Sequence, residues 1–462
     1  MSTAVQADAH AYRHRSTRTA WLVLGATTLS FAICCGGSVL LWPALNRGGL
    51  QRQEAVEEIE RLGGSVEFDS DSGEWISEFS PAWVARWADV TGVDLSQTSA
   101  DNETLRLLRV FPQLQWLALI DTHVDDEGLQ HLAEHEYLES IYLEGTAVTG
   151  RGLAHLKAAR RLNTLDLERT AVVDAELPEL AEFPALSHVW LSGTAAGNAT
   201  LSSLRDAFQL VWLNADQTAI TDDGLAHLAA HRKLETLELS RTLVRGPGLV
   251  HLKGLRRLSN LSLDGSRIDD DGLRHLAGLG SLMYLSLAGA SISDEGLAQL
   301  GSLSRLVSLT LDDTPIRGSG LAPLLSKLEL RSLSLDGTPL DEAQLAAVES
   351  CPTLWALSLA NTLVGELGLE HVARLPNLSN LTLDNTRVTN GALELLAAHE
   401  SLYTLSLANT AIDDRGLESL RMLPALGSLD LSGTRVTNRG AFVLAELEAL
   451  RWVDLSETSV DA

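Results

Sequence analysis

A leucine returns every 24 residues from Leu114 to Leu450, through Leu138, Leu162, Leu186 and Leu210, with no insertion or deletion in the series. Val90 extends the phase one step back, giving sixteen repeats of which the last, at the C-terminus, is truncated. A period of this length marks a solenoid. One repeat is too small to bury its own apolar face, so stability comes from stacking on its neighbours. The chain therefore grows in one dimension and is not divided into several ordinary cores.

The repeat Leu138–Arg161 shows how one turn is built. Ile141 and Leu143 alternate with Ser140, Tyr142 and Glu144, which reads as a strand with one buried and one open face. Leu153 and Leu156 then follow at helical spacing, giving a short helix on the opposite side. Parallel strands about 4.8 Å apart would make a sheet roughly 75 Å long. The ninth position is threonine in nearly every copy, as at Thr122, Thr146 and Thr170, with Ser266 and Ala290 as exceptions. A hydroxyl there is expected to bond backbone groups left open where the strand turns. Asp126, Asp174, Asp222, Asp270, Asp294 and Asp414 precede the helical leucines and read as helix N-caps, with calcium binding as the alternative. The recurring glycines at the fifteenth position, such as Gly128 and Gly152, read as tight turns.

Two flanking segments do not repeat. Residues 20–45 form an apolar run, uncharged from Ala20 to Trp42, long enough to span a bilayer at about 20 residues per crossing. Arg13, Arg15 and Arg18 precede it. They favour a single-pass signal anchor with the basic tail, residues 1–19, cytoplasmic and the repeats extracytoplasmic. A cleaved signal peptide and a lipoprotein through Cys34 or Cys35 are the competing readings. Residues 46–89 carry a helix over Leu50–Leu62, a short strand at Ser65–Phe68, and Trp75, Trp83 and Trp87. This is an expected N-terminal cap over residues 90–462, the solenoid. No separate C-terminal cap is seen, so that end is expected to fray or to be covered by a partner.

The template at Leu378, Leu381, Leu383, Thr386 and Val388 resembles the leucine-rich repeat, in the threonine-type variant common in bacterial membrane-anchored proteins. The resemblance covers Val90 onward. It implies a right-handed α/β solenoid with a concave parallel sheet, convex short helices and, here, an N-terminal transmembrane helix. It also implies a ligand- or protein-binding concave face without intrinsic chemistry. The Thr-Asp-x-Gly-Leu segment of the repeat template is similar to repeats of F-box substrate adaptors too. Those usually carry cysteine where this chain has Thr146 or Thr170, and no F-box-like region is evident.

A fold is not a function, so the site must come from residues that break the pattern. On the open face the N-terminal half carries Trp116, Tyr142, His188, Trp190, Trp212 and Tyr284. Among them lie Glu144, Asp166, Glu168, Asp216 and Glu238. The C-terminal half is mostly serine, threonine, alanine and aspartate. Exposed aromatic residues are strong interface anchors, and the acids would orient a cationic partner. A basic protein segment fits best and a carbohydrate second. The alternative is that large side chains simply cover the sheet there. The net charge of −26 repels nucleic acid. Cys34, Cys35 and Cys351 supply neither a disulfide framework nor a zinc site. His131, His155, His227, His251 and His275 share one outer column, which reads as consensus repetition. No cofactor and no catalytic constellation is expected. The leading reading is a non-enzymatic, membrane-tethered recognition scaffold. The alternatives are a sensor or assembly subunit coupled through its membrane helix, and an intracellular adaptor.

Overall fold

The computed structural model describes residues 42–69, 88–174, 177, 180–397 and 399–461. Helix α1 (Trp42–Arg61) opens it, followed by β1 (Ser65–Phe68) and β2 (Val90–Asp94). Then come β3 (Trp116–Ala118), β4 (Ser140–Tyr142), β5 (Thr164–Asp166), β6 (His188–Trp190), β7 (Trp212–Asn214), β8 (Thr236–Glu238), β9 (Asn260–Ser262) and β10 (Tyr284–Ser286). The series continues at the same spacing to β17 (Trp452–Asp454). All lie in one sheet of seventeen strands. From β2 onward neighbours are parallel and in register, as in Trp116↔Ser140 and His188↔Trp212. The fourth and sixth residues of each repeat point into one continuous core, where Leu117, Leu119, Ile141 and Leu143 are fully buried.

At the first edge, β1 pairs antiparallel with β2, and α1 packs Ala55, Val56 and Ile59 into the core. The helix begins earlier than its apolar spacing suggests, and Leu50 stays exposed. Trp75, Trp83 and Trp87 lie outside the described residues, as does the apolar run apart from its last four residues, which open α1. Among the described residues, no helix is long and apolar enough to cross a membrane. At the far end, β17 leaves Trp452 and Val453 exposed.

Each strand leaves the sheet through a turn that uses a left-handed residue at the eighth position. Arg169, Asn361, Asn385 and Gly145 all have positive φ there. Asparagine and glycine adopt that conformation at little cost, whereas Arg169 is strained in it. The ninth-position threonine closes the turn. Thr146 Oγ1 donates to the Leu143 carbonyl at 2.6 Å, and Thr170 Oγ1 to that of Leu167 at 2.7 Å. These bonds lie within one repeat. The ladder between repeats is backbone, as in Leu119 N–H to the Tyr142 carbonyl at 2.8 Å.

The convex side holds short α-helices in some repeats and 3₁₀ segments in others, such as Gly152–Leu156 and Gly224–Leu228. A 3₁₀ turn rises about 2.0 Å per residue against 1.5 Å in an α-helix, so it covers the return path with fewer residues. The aspartates do cap, but across the repeat boundary. Asp174 accepts from the amides of Gly197, Ala199 and Thr200. Asp294 accepts from those of Arg317, Gly318 and Gly320, all within 3.0 Å. Burial alone would raise both carboxyls, yet the converging donors hold them below the usual range. Where an aspartate stands at this position, its repeat thereby caps the next one.

The fifteenth-position glycines are not tight turns. They lack positive φ and are required by the neighbouring repeat: a Cβ on Gly320 would stand 2.2 Å from the Asp294 carbonyl oxygen. A second histidine column, not singled out in the sequence, is buried at these boundaries. His231 lies 3.0 Å from the Leu204 carbonyl through Nε2 and 3.2 Å from that of Leu228 through Nδ1. His135 reaches the Leu108 carbonyl in the same way.

Gly320→Ala should destabilise the chain by about 1–3 kcal/mol through overpacking, while Gly280→Ala, whose Cβ would meet nothing within 4 Å, should be near neutral in urea unfolding. Asp294→Ala should cost about 1 kcal/mol. Because the folded carboxyl is depressed, that difference should be full above about pH 4 and shrink as acidification protonates the wild-type carboxylate.

Candidate recognition face

The open face carries positions three, five and seven of each repeat. Asp166, Trp190, Asn214 and Glu238 align across β5 to β8 in one row. His188 and Trp212 are paired in the adjoining row. The His188 and Trp190 rings stack at 6.0 Å between centroids and 19° between planes. Trp190 and Trp212 lie 6.4 Å apart at 32°. All three side chains are half-buried. Trp212 Nε1 has no hydrogen-bond partner among the described residues.

Two expected members do not join this group. Trp116 is engaged in the N-terminal edge, where its ring covers Gly92 and its Nε1 donates to Glu67 at 2.7 Å. Tyr284, on β10, is exposed and lies three strands from Trp212. Tyr142, on β4, is half-buried beside Asp166 of β5.

The acids of the two halves differ in their supply of donors. In the C-terminal half, Asp336 Oδ1 accepts from the Ser358 hydroxyl at 2.6 Å and the Ala360 amide at 2.7 Å. Asp384 accepts likewise from Ser406 and Ala408. These aspartates bridge neighbouring strands. Burial raises Asp336, but its donors act against that.

On β5 to β8 the donors run short. Asp166 accepts one amide bond, from Glu168, and burial pushes it up to about 6 despite that bond. Glu168 accepts from Asn214 at 3.0 Å. It rises to about 7 through burial first, then through repulsion from Asp166, Glu144, Glu238 and Asp216. Glu238 has no side-chain partner among the described residues and reaches about 7 through burial and Asp216. Asp216 is also raised by burial, although Ser240 donates to it. Glu144 differs, because Arg169 sits 2.9 Å away, with Asp121 on its other side at 3.4 Å.

Ser187 lies beside His188, with its hydroxyl 2.8 Å from Nδ1, a contact not anticipated from sequence. The same hydroxyl lies 3.1 Å from the Asn163 carbonyl. Its one proton can serve either acceptor, so the contact fits both neutral tautomers of His188. Burial lowers the His188 pKa, which favours the neutral ring.

The architecture is that of the leucine-rich-repeat proteins. No known family profile matches the sequence, and no curated protein matches it. Solved structures share the fold. An internalin from Listeria monocytogenes aligns at 19% identity and TM-score 0.50, over 79% of this chain and 91% of that one. A leucine-rich-repeat protein of Leptospira interrogans aligns at 16% identity and TM-score 0.54, over 77% and 92% respectively. The ectodomain of the Arabidopsis receptor kinase HAESA, solved with a peptide hormone ligand, aligns at 16% identity and TM-score 0.50, over 89% and 78%.

A carboxyl with a raised folded pKa binds its proton more readily folded than unfolded, so stability falls as pH rises between the unfolded and folded values. Replacing both Glu168 and Glu238 by Gln should stabilise the chain at pH 8 by on the order of 2 kcal/mol, with the gain vanishing below about pH 4.5. Equal stabilities at pH 8 would contradict the underpaired state of these acids; urea unfolding across pH measures it.

Proposed function

We propose that this chain is a non-enzymatic, membrane-tethered scaffold that recognises a protein ligand on its concave face. The observation that carries the reading is the aromatic and acidic group on β5 to β8. There large rings and underpaired carboxylates replace the small, self-satisfied residues of the C-terminal half. Such a surface suits a basic protein segment better than a carbohydrate, since the acids add attraction that a neutral sugar does not use. The peptide-bound HAESA ectodomain is a precedent for this fold presenting a surface to a peptide. The apolar run from Ala20 to Trp42 supports tethering. The arginines before it support a cytoplasmic N-terminus and an extracytoplasmic repeat domain.

Affinity capture with the wild-type chain, compared with the double variant Trp190→Ala, Trp212→Ala, tests the site. The expected outcome is at least about a tenfold loss of the captured partner, in line with removal of aromatic hot spots, with the circular dichroism unchanged. Undiminished capture by the folded variant would remove this face as the site. Protease added to sealed vesicles with their cytoplasmic side outward tests the topology. The repeats should survive until detergent opens the membrane, and digestion without detergent would overturn the export reading.

A further inference from the structure

The hydrogen-bonding inventory of the β5–β8 face is one-sided. Its underused groups are mainly acceptors, the carboxyls of Asp166, Glu168 and Glu238, against one unpartnered donor among the described residues, Trp212 Nε1. Between them stand the π faces of Trp190 and Trp212. Of the nearby cations, Arg169 is shared by Glu144 and Asp121, and Arg241 acts on Asp216 only through its charge. The natural complement is a group that only donates, carries positive charge and is flat enough to lie on an indole. A guanidinium has five N–H donors in a rigid plane and stacks on aromatic faces, whereas an ammonium is compact, more strongly hydrated and has no flat face to stack. Cations over tryptophan gain further attraction from the ring quadrupole.

We propose that this face is an arginine-recognition site, in which a guanidinium of the partner stacks on Trp190 and donates to Glu168 and Glu238. This rests on the concave face being the recognition surface and adds the chemistry of what is recognised. A guanidinium entering the row replaces repulsion among carboxylates by charge-assisted hydrogen bonds. Its arrival also favours the ionised acids, so binding releases protons near neutrality.

The test is titration calorimetry of the full-length chain with three capped peptides: triarginine, trilysine and tricitrulline. Citrulline keeps the planar shape but not the charge. Triarginine should bind at least about tenfold more tightly than trilysine, with tricitrulline undetectable and protons released on binding at pH 6.5. Trp190→Ala, and the pair Glu168→Gln with Glu238→Gln, should each weaken triarginine by about tenfold or more. The pair Asp312→Asn with Asp336→Asn removes the same charge elsewhere on the sheet and should leave binding unchanged. Equal affinity for triarginine and trilysine, or equal loss from the two charge-matched pairs, would overturn the assignment in favour of general attraction to a chain of net charge −26. A natural partner that is lost on Trp190→Ala but retained by Glu168→Gln with Glu238→Gln would leave the recognition reading standing and remove the arginine assignment alone.

Discussion

The stacking of each repeat on the next is the constraint from which the rest follows. A strand of three residues and one helical turn cannot bury their leucines alone. They are held by backbone bonds to the neighbouring strand and by aspartates such as Asp174 and Asp294, which cap the following turn. This commits most of each repeat. The leucines fill the core, the threonines close the turns, and the glycines leave room for the capping side chains or backbone of a neighbouring repeat. Only the third, fifth and seventh positions are left to face solvent on the sheet, so that is where departures from the pattern carry information.

Even there, residue type does not decide role. Asp336 and Glu238 are both acids on the open face, yet they do different things. Asp336 has a hydroxyl and an amide from the next repeat, and so joins two strands. Glu238 has no such donors, and so remains a half-buried carboxyl without a side-chain partner among the described residues. The difference comes from the neighbouring strand. Serine at Ser358 serves Asp336, whereas Asp166 stands in register between Tyr142 and Trp190, and Ser262 beside Glu238 turns its hydroxyl to Ser240 and Asp264 instead.

This explains what was legible in the sequence and what was not. Period-two alternation and a fixed step suffice to place every leucine of the core, because both signals are local. The aspartates were recognisable as caps, but not which helix they cap, since the donor lies 23 to 26 residues downstream. The buried histidines His135 and His231 were hidden for the same reason: their carbonyl partners belong to the preceding repeat. Trp116 reads from sequence as one more exposed ring. Its bond to Glu67, 49 residues away, becomes visible only once β1 is folded over the first edge. Trp190 and Trp212 needed only the 24-residue step to be placed side by side, which is why their adjacency could be read directly.

A solenoid also sets the terms on which such a face can be kept. Underpaired carboxylates at half-buried positions oppose folding wherever they are ionised. In a globular core that cost would fall on the whole domain. Here it falls on the interfaces that β5 to β8 make with their immediate neighbours, because stability in stacked repeats is close to a sum of nearest-neighbour terms. The long C-terminal run of self-satisfied aspartate–serine pairs is not weakened by the acids upstream. It keeps its own donors while the upstream turns hold carboxyls that the fold leaves underpaired. The asymmetry between the halves is thus one that one-dimensional stacking permits: regular repeats keep the register, and the irregular ones can hold groups that the fold itself does not satisfy.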